Sequence, residues 1–421
     1  MTNPLSTEPY KGTRDFYPKD MAVQRYIFDM WSKTAESFGF ERYDASLLEP
    51  ADLYRSKTSE EIVNEQTYTF TDRGEREVTL RPEMTPTVAR MVAARSRELS
   101  FPVRWYAIPN LFRYERPQRG RLREHWQLNC DLFGVSDISA DIELIVLAHT
   151  LLTRFGATQD MFTIRINDRE LMRQWYAYTF HLNGDAINAV TRIVDRKNKM
   201  SASEFKMMLG AIVPDTDRLI KGLEAADPQT LGHETSLTLL LKTLRELGIT
   251  NVVFDASLAR GFDYYTGTVF EIIDTSSENN RSILGGGRYD NLTKLFGGDA
   301  IPGVGFGLGD VVMRDFLETH RLLPKDIHIT APMLMLIPTD TTFNIAGEKI
   351  AEQFRTLGIN TAVDLSDKKL AKKISGAGDG GSRFIVVVGE NEISSNTFVL
   401  KELCTKTEHS GTIDALSKFI L

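Results

Sequence analysis

The stretch "LARGFDYYTGTVFEI", residues 258–272, mixes two kinds of residue that rarely share a strand. Val269, Phe270 and Ile272 suit a pleated, half-buried surface. Arg260, Tyr264, Tyr265, Thr266 and Thr268 put a cation, two phenols and two hydroxyls in the same segment. A second concentration lies in "FRYERPQRGRLREHWQLNCDLFG", residues 112–134, where Arg113, Arg116, Arg119, Arg121 and Arg123 surround a turn punctuated by Pro and Gly. Arginine carries a planar, multi-donor fork that matches phosphate. On the strand leaving that turn, alternation places Arg123, Gln127, Asn129 and Asp131 on one face and Trp126, Leu128, Cys130 and Leu132 on the other. "TLRPEMTPTVAR" carries Glu83 and Thr85 at a strand-to-helix break. "LGGGRYDNL" sets three glycines before Arg288 and Tyr289, and a glycine run in a strand suggests that another group approaches the backbone closely. Taken singly, each segment has an ordinary reading: a solvated sheet face, a helix cap, a bulge or tight turn.

Other chemistries lack their residues. There is no G-x-x-x-x-G-K-[ST] phosphate loop and no G-x-S-x-G elbow. "GVGFGLGD" resembles a dinucleotide fingerprint, but Asp310 stands where the last glycine belongs and no βαβ pattern surrounds it. The seven histidines never pair at metal-ligand spacing, so no protein motif for a metal is expected. Only two cysteines occur, Cys130 and Cys404, in no redox or metal spacing, which argues for a reducing compartment. The N-terminal residues have no basic-then-apolar signal pattern, and no apolar run reaches the roughly 20 residues of a membrane span. A soluble, cytoplasmic protein with no membrane partner is expected. The net charge of −7 argues against a general nucleic-acid coat protein but allows local basic patches.

The elements that must position these residues are legible in outline. At 421 residues, two to three domains are expected. "MAVQRYIFDMWSKTAESFG" reads as an amphipathic helix followed by short strands. A helix is expected near Thr85, with Pro86 at its start, and strand, turn, strand over 103–135. Residues 168–248 read as successive helices with polar joints ("NDRELMRQWYAYTF", "DAINAVTRIVDRKNKM", "SASEFKMMLGAI", "SLTLLLKTLRELG"), a helical module set into a mainly β protein. "LPKDIHITAP" reads as a linker. After it, "MLMLIP", a helix, "TAVDL", a helix and "RFIVVVG" predict a small parallel-type α/β domain.

In combination and in this order, the segments are far more specific. Together with "KGTRDFYPKD" near the start and "VDLSDKKLAKKISGA…RFIVVVGENEI" near the end, they resemble the class II aminoacyl-tRNA synthetases, and within them the histidyl-tRNA synthetase family, from about residue 10 onward. The resemblance implies an α+β fold. A class II antiparallel sheet flanked by helices would occupy 1–325, including the helical insertion, and an anticodon-binding α/β domain would occupy 330–421. It implies activation of L-histidine with ATP and Mg²⁺, transfer to tRNA(His), and a homodimer. By similarity, Glu83, Thr85 and Gln127 would hold the α-ammonium, and Met84 would belong to the same histidine-binding set. Asp131, where the family often has Glu, would grip the imidazole with Tyr264, and Tyr265 and Tyr289 would line the pocket. Arg260 and Arg113 would face the reacting carboxylate and α-phosphate, Glu115 and Arg121 would serve ATP, and Arg116, Gln118 and Arg123 the acceptor end. Lys368, Lys369, Lys372 and Lys373 would form a phosphate-binding cluster in the last domain.

One departure stands out. The family's third motif ends in Gly-x-Glu-Arg, its Arg stacking on adenine. In "GFGLGDVVMRDF", Val311 and Val312 occupy the Glu and Arg positions, and the nearest arginine is Arg314. The alternative reading is therefore a non-catalytic paralogue, the regulatory subunit of the histidine-biosynthesis ATP phosphoribosyltransferase. The intact "RGFDYYTG" and the complete C-terminal domain speak against it.

Overall fold

The computed structural model describes residues 5–55, 66–197, 200–228, 236–259, 264–279, 281–324, 327 and 332–421. Arg260 and most of the 323–332 linker lie outside the described residues. The chain groups into two compact units, Met1–Asp15 with Gln24–Lys325 and Phe16–Val23 with Asp326–Leu421.

Helix α1 (Pro18–Ser37) buries Ile27, Trp31 and Ala35, spaced four apart so that they fall on one stripe. The first unit continues with β1 (Glu41–Arg42), β2 (Leu48–Pro50), α2 (Asp52–Arg55), β3 (Tyr68–Thr71), β4 (Glu77–Leu80), α3 (Thr85–Ala94), β5 (Val103–Ala107), β6 (Asn110–Phe112), β7 (Glu124–Phe133) and α4 (Ser139–Arg154). Next come β8 (Phe162–Asp168), α5 (Arg169–Phe180), α6 (Gly184–Asp195), α7 (Ala202–Gly210), α8 (Thr216–Glu224), α9 (Ser236–Glu246), β9 (Val252–Phe254), β10 (Thr268–Asp274), β11 (Ser282–Arg288), β12 (Gly303–Gly309) and α10 (Asp310–Thr319). Among the described residues nine strands form one sheet, ordered β1-β5-β7-β12-β11-β10-β8-β9, with β6 also pairing β7. The β1–β5 and β8–β9 pairs are parallel and the rest antiparallel, as the class II resemblance implies.

The helical module differs in two ways from the expectation. A fourth helix, α8, follows α5–α7, and these four share a core of their own built from Met172, Tyr176, Val190, Phe205, Leu209 and Leu219. Helix α9 is outside that core and packs against α4. In "TDRLIKGLE" only Leu219, Ile220 and Leu223 carry the apolar signal, too few to mark a helix from periodicity.

In the second unit, β13 (Leu334–Pro338), α11 (Asn344–Thr356), β14 (Thr361–Val363), α12 (Leu370–Asp379) and β15 (Phe384–Val388) alternate as expected, with β13 parallel to both β14 and β15. After the short α13 (Glu390–Ser395), β16 (Phe398–Glu402) and β17 (Glu408–Gly411) extend the sheet antiparallel, and α14 (Ile413–Ile420) follows. The sheet is thus mixed. The added hairpin is short and polar, so its sequence gives little strand signal. Leu334, Leu336, Phe354, Val386, Phe398 and Leu416 form the core. Lys373 is 1% exposed and its Nζ donates to the Pro338 carbonyl (3.1 Å), so it is not part of a surface cluster. Lys368, Lys369 and Lys372 are exposed.

Candidate active site

The centre of the first unit's sheet is unusually thin. Strands β11 and β12 pair through glycines, Gly285 opposite Gly307 and Gly287 opposite Gly305, and β12 then pairs with β7, Gly305 opposite Asp131 and Gly307 opposite Asn129. Side chains from neighbouring segments lie where Cβ atoms would be. A Cβ on Gly287 would come within 2.8 Å of Tyr265, and one on Gly307 within 2.7 Å of Gln127. A Cβ on Gly305 would overlap Asp131 Oδ1 and lie 2.8 Å from the Cys130 carbonyl and 2.9 Å from the Tyr289 hydroxyl. Gly305→Ala is therefore expected to displace the Asp131–Tyr289 pair and to destabilise the fold by about 1–3 kcal/mol. A urea midpoint equal to wild type would show that the sheet yields instead.

Over these glycines the polar residues gather in pairs. The Tyr289 hydroxyl donates to Asp131 Oδ1, and the Tyr264 hydroxyl donates to Glu83 Oε2 at 2.9 Å. The Tyr264 ring lies edge-on to both Tyr265 (4.9 Å) and Tyr289 (5.9 Å). Glu83 is 3% and Asp131 2% exposed. Burial pushes the Asp131 carboxyl up to about 7, with the Tyr289 hydrogen bond opposing. Its second oxygen, Oδ2, is buried with no hydrogen-bond partner among the described residues. Such an atom costs free energy unless something else satisfies it. Met84 is fully buried at the start of α3, and Thr85, the first residue of that helix, is half-buried. The polar face expected of β7 is thus covered, not solvated: residues 128–133 are buried on both faces.

A cleft of about 1200 Å³ adjoins this cluster, with Gln127 and Tyr265 in its wall. Arg113, Glu115 and Arg121 line it as well. The Arg113 backbone N–H donates to the Arg123 carbonyl (2.9 Å) and its Nε to the Pro82 carbonyl (2.8 Å), which ties the arginine to the segment carrying Glu83. Arg121 and Glu115 form an ion pair at 3.6 Å. Glu83, Asp131, Tyr264 and Tyr289 are not in the cleft wall; they are buried beside it. Arg116 and Gln118 are exposed on the turn. Arg123 is buried: its Nη1 donates to the Tyr10 hydroxyl (2.9 Å) and its guanidinium stacks 4.0 Å over Tyr114.

Three features escaped sequence reasoning. His125 lines the cleft with Gly309, Val311 and Val312. Burial, and then the charges of Arg113 and Arg14, hold its imidazole down to about 3, so it is neutral at physiological pH. Asp310 joins the cleft's parts: Oδ1 accepts from the Trp126 N–H (2.9 Å) and Oδ2 from Arg14 (2.7 Å), which comes from "KGTRDF". Arg169, at the start of α5, donates to the carbonyls of Ala259 (3.2 Å) and Tyr265 (3.1 Å) and so braces the tyrosine segment. Each of these joins segments far apart in the chain, which no local pattern reveals. Arg314 is paired with Glu318 (2.8 Å) and is not in the cleft wall.

The arrangement sets a buried cluster of two carboxyls and two phenols beside a wide cleft furnished with arginines. Comparison with known proteins shows the family of the chain. The family model "Histidyl-tRNA synthetase" matches residues 12–309, and "Anticodon binding domain" matches 334–421. A histidine–tRNA ligase of Leptospira biflexa is 42% identical over 98% of this chain and 97% of its own, and one of Thermoplasma volcanium is 38% identical over 99% of each. The solved histidyl-tRNA synthetase of Nostoc sp. PCC 7120 shares the fold, with a TM-score of 0.77 at 22% identity over 99% of each chain.

Proposed function

The chain belongs to the histidyl-tRNA synthetase family, and on that premise we infer how its residues make histidyl-tRNA. It is an aminoacyl-tRNA-forming ligase that consumes ATP. The histidine carboxylate attacks the α-phosphorus of ATP and pyrophosphate leaves. A ribose hydroxyl at the tRNA 3′ end then attacks the adenylate carbonyl and AMP leaves. The regulatory-subunit alternative is not favoured, because the curated relatives that match the whole chain are histidine–tRNA ligases.

The observation that carries the site assignment is the buried Asp131 carboxylate with one oxygen unsatisfied, beside Gln127, Glu83 and the tyrosines. An imidazole N–H satisfies that oxygen, and Glu83, Thr85 and Gln127 supply acceptors for the α-ammonium, with Met84 packing beneath. Arg113, with Arg260 where the family resemblance places it, faces the α-phosphate and stabilises the charge that develops there. Arg121 and Glu115 serve the nucleotide. Adenine lies against the neutral His125 ring and Val312; a neutral ring accepts stacking without repelling the arginines nearby. Mg²⁺ brought with ATP would offset charge on the phosphates, with Glu115 and Glu271 of the cleft wall as the carboxylates that would hold it.

Arg116 and Gln118, exposed on the turn, meet the acceptor end, and the buried Arg123 holds that turn from below. The domain division at about 325–330, a cytoplasmic location and a homodimer belong to the same reading and rest on the family resemblance. No helix among the described residues is long and apolar enough to cross a membrane.

The test is histidine-dependent pyrophosphate–ATP exchange followed by charging of tRNA(His). Absence of exchange at any ATP concentration would overturn the ligase reading. For the second unit, replacing Lys368, Lys369 and Lys372 together by alanine is expected to raise the tRNA KM several-fold. Each lost phosphate contact lowers the salt slope by about 0.7–0.9. Exchange is expected to be unaltered, and an unaltered tRNA KM would remove these lysines from the interface.

A further inference from the structure

The tip of the turn between β6 and β7 is held by contacts of its own. Gln118 and Arg121 exchange backbone hydrogen bonds (3.0 and 2.9 Å) around Arg119 and Gly120, with Gly120 at a φ of 74°. The Arg119 guanidinium donates to the Glu278 carbonyl (3.3 Å) and the Thr319 hydroxyl (3.4 Å) and pairs with Asp315 of α10 (3.8 Å). The tip is thereby fastened to the β10–β11 connection and to α10. Beside it opens a side cavity of about 370 Å³, lined by Gln118, Gly120, Arg121, Arg281, Ser282 and Val312. Gly120, Arg121, Ser282 and Val312 also line the large cleft, so the cavity is an extension of it. Its wall carries two guanidiniums, an amide and a hydroxyl, and no carboxylate.

Arg281 stands just ahead of β11 and is half-buried. Its N–H donates to the Asn279 carbonyl (2.7 Å) and its carbonyl accepts from the Asp274 N–H (3.0 Å), which fixes where the side chain starts. Nη1 donates to the Arg119 carbonyl. Among the described residues Nε and Nη2 make no hydrogen bond and the guanidinium has no carboxylate partner. A Cβ on Gly120 would lie 3.1 Å from Arg281 Nη1 and 3.4 Å from Val312 Cγ1, so the guanidinium and the valine border one spot.

We propose that Arg281 is a further nucleotide-binding residue: with Arg121 it clamps the β- and γ-phosphates of ATP, the pair that leave as pyrophosphate. The proposal rests on the reading of the cleft as the nucleotide site. There Arg113 takes the α-phosphate, and Arg121, common to cleft and cavity, marks where the remaining phosphates go. Arg121 is partly neutralised by Glu115 at 3.6 Å, so Arg281 brings the uncompensated charge. Nε and Nη2 form the side-on edge of the guanidinium, which matches two phosphate oxygens, and the bond from Nη1 to Arg119 holds that edge in place. The charge that Val312 does not supply from α10 thus comes from the start of β11.

The test uses full-length Arg281→Gln, which can still donate to the Arg119 carbonyl but loses the charge and the fork, and Arg281→Ala, which loses that bond as well. Calorimetry compares ATP with the sulfamoyl analogue of histidyl-adenylate, which has no β- or γ-phosphate. In both variants the ATP Kd is expected to rise about tenfold to a hundredfold, the loss of a hydrogen-bonded charged partner. The Kd of the analogue should stay within twofold. In exchange kinetics the KM values for ATP and pyrophosphate should rise together and the histidine KM should stay within twofold. An ATP Kd within twofold of wild type in Arg281→Gln overturns the proposal. So do equal losses for ATP and the analogue, which would make Arg281 a support of the turn. A raised tRNA KM with an unaltered ATP Kd also overturns it and gives the cavity to a phosphate of the acceptor end. Wild type without histidine-dependent exchange would bring down the functional reading, while the ATP Kd comparison would still decide the role of Arg281.

Discussion

Arg113→Ala is expected to slow histidyl-adenylate formation by about 10²–10³ in single turnover, the usual loss when one preorganised donor to developing charge is removed. The guanidinium has little freedom to search for its position. Its backbone N–H is bonded to the Arg123 carbonyl and its Nε to the Pro82 carbonyl, leaving the Nη atoms to the cleft. The arginine is thus aimed before ATP arrives, and ordering it costs nothing during reaction. The loss should fall on the rate constant more than on the ATP KM, because the charge it meets is largest in the transition state. Arg113→Lys is expected to recover little: an ammonium cannot bond Pro82 and present a second donor edge together. A rate within tenfold of wild type for Arg113→Ala would remove it from the chemistry.

Much of this arrangement is legible in the amino-acid sequence because the relevant residues sit in short local segments. "LRPEMTP" announces both the break before α3 and the Glu83–Thr85 pair, and alternation along β7 places Gln127 and Asp131 on one face. The glycines before Arg288 mark where Tyr265 comes down on the sheet. What the sequence hides is pairing at a distance. Glu83 and Tyr264 lie 181 positions apart, and only the fold brings the hydroxyl to the carboxyl. Asp310 looks like a spoiled glycine until Arg14, 296 positions away, is found on its carboxylate. Lys373 looks like a fourth surface lysine until α12 turns it beneath β13. Helix α8 and the β16–β17 hairpin are too short and polar for periodicity to mark them, and tertiary packing decides their conformation.

Asp131→Asn is expected to change binding and stability in opposite directions. The carboxylate is matched to an imidazole N–H through Oδ2. An amide keeps the shape and the Tyr289 bond but surrenders the charge, and its NH₂ group is a mismatched donor if it takes the Oδ2 place. A mismatch of this kind costs about 1–3 kcal/mol, so the histidine KM should rise roughly ten- to a hundredfold while the ATP KM stays near wild type. Equal losses for both ligands would contradict the assignment. Without histidine the same charge is a burden. Burial holds the folded carboxyl up at about 7, far above its unfolded value. Between roughly pH 4 and 7 the folded protein therefore binds a proton that the unfolded chain has released. Stability falls as pH rises through that window and carries the full penalty above it. Asparagine never ionises and escapes the penalty. The unliganded Asp131→Asn protein should thus melt above wild type at pH 8, the gap shrinking toward pH 5. Saturating histidine should narrow or reverse the order, because the ligand stabilises the wild type more. A variant that melts below wild type at pH 8, or a gap that does not change with pH, would mean that the carboxylate is already satisfied in the free enzyme. The unpaired oxygen would then no longer mark the imidazole site. If the gap behaves as expected, the instability of free Asp131 is the counterpart of its affinity for histidine: the free-energy cost of one buried, unmatched charge is recovered when the one side chain with a matching ring nitrogen arrives.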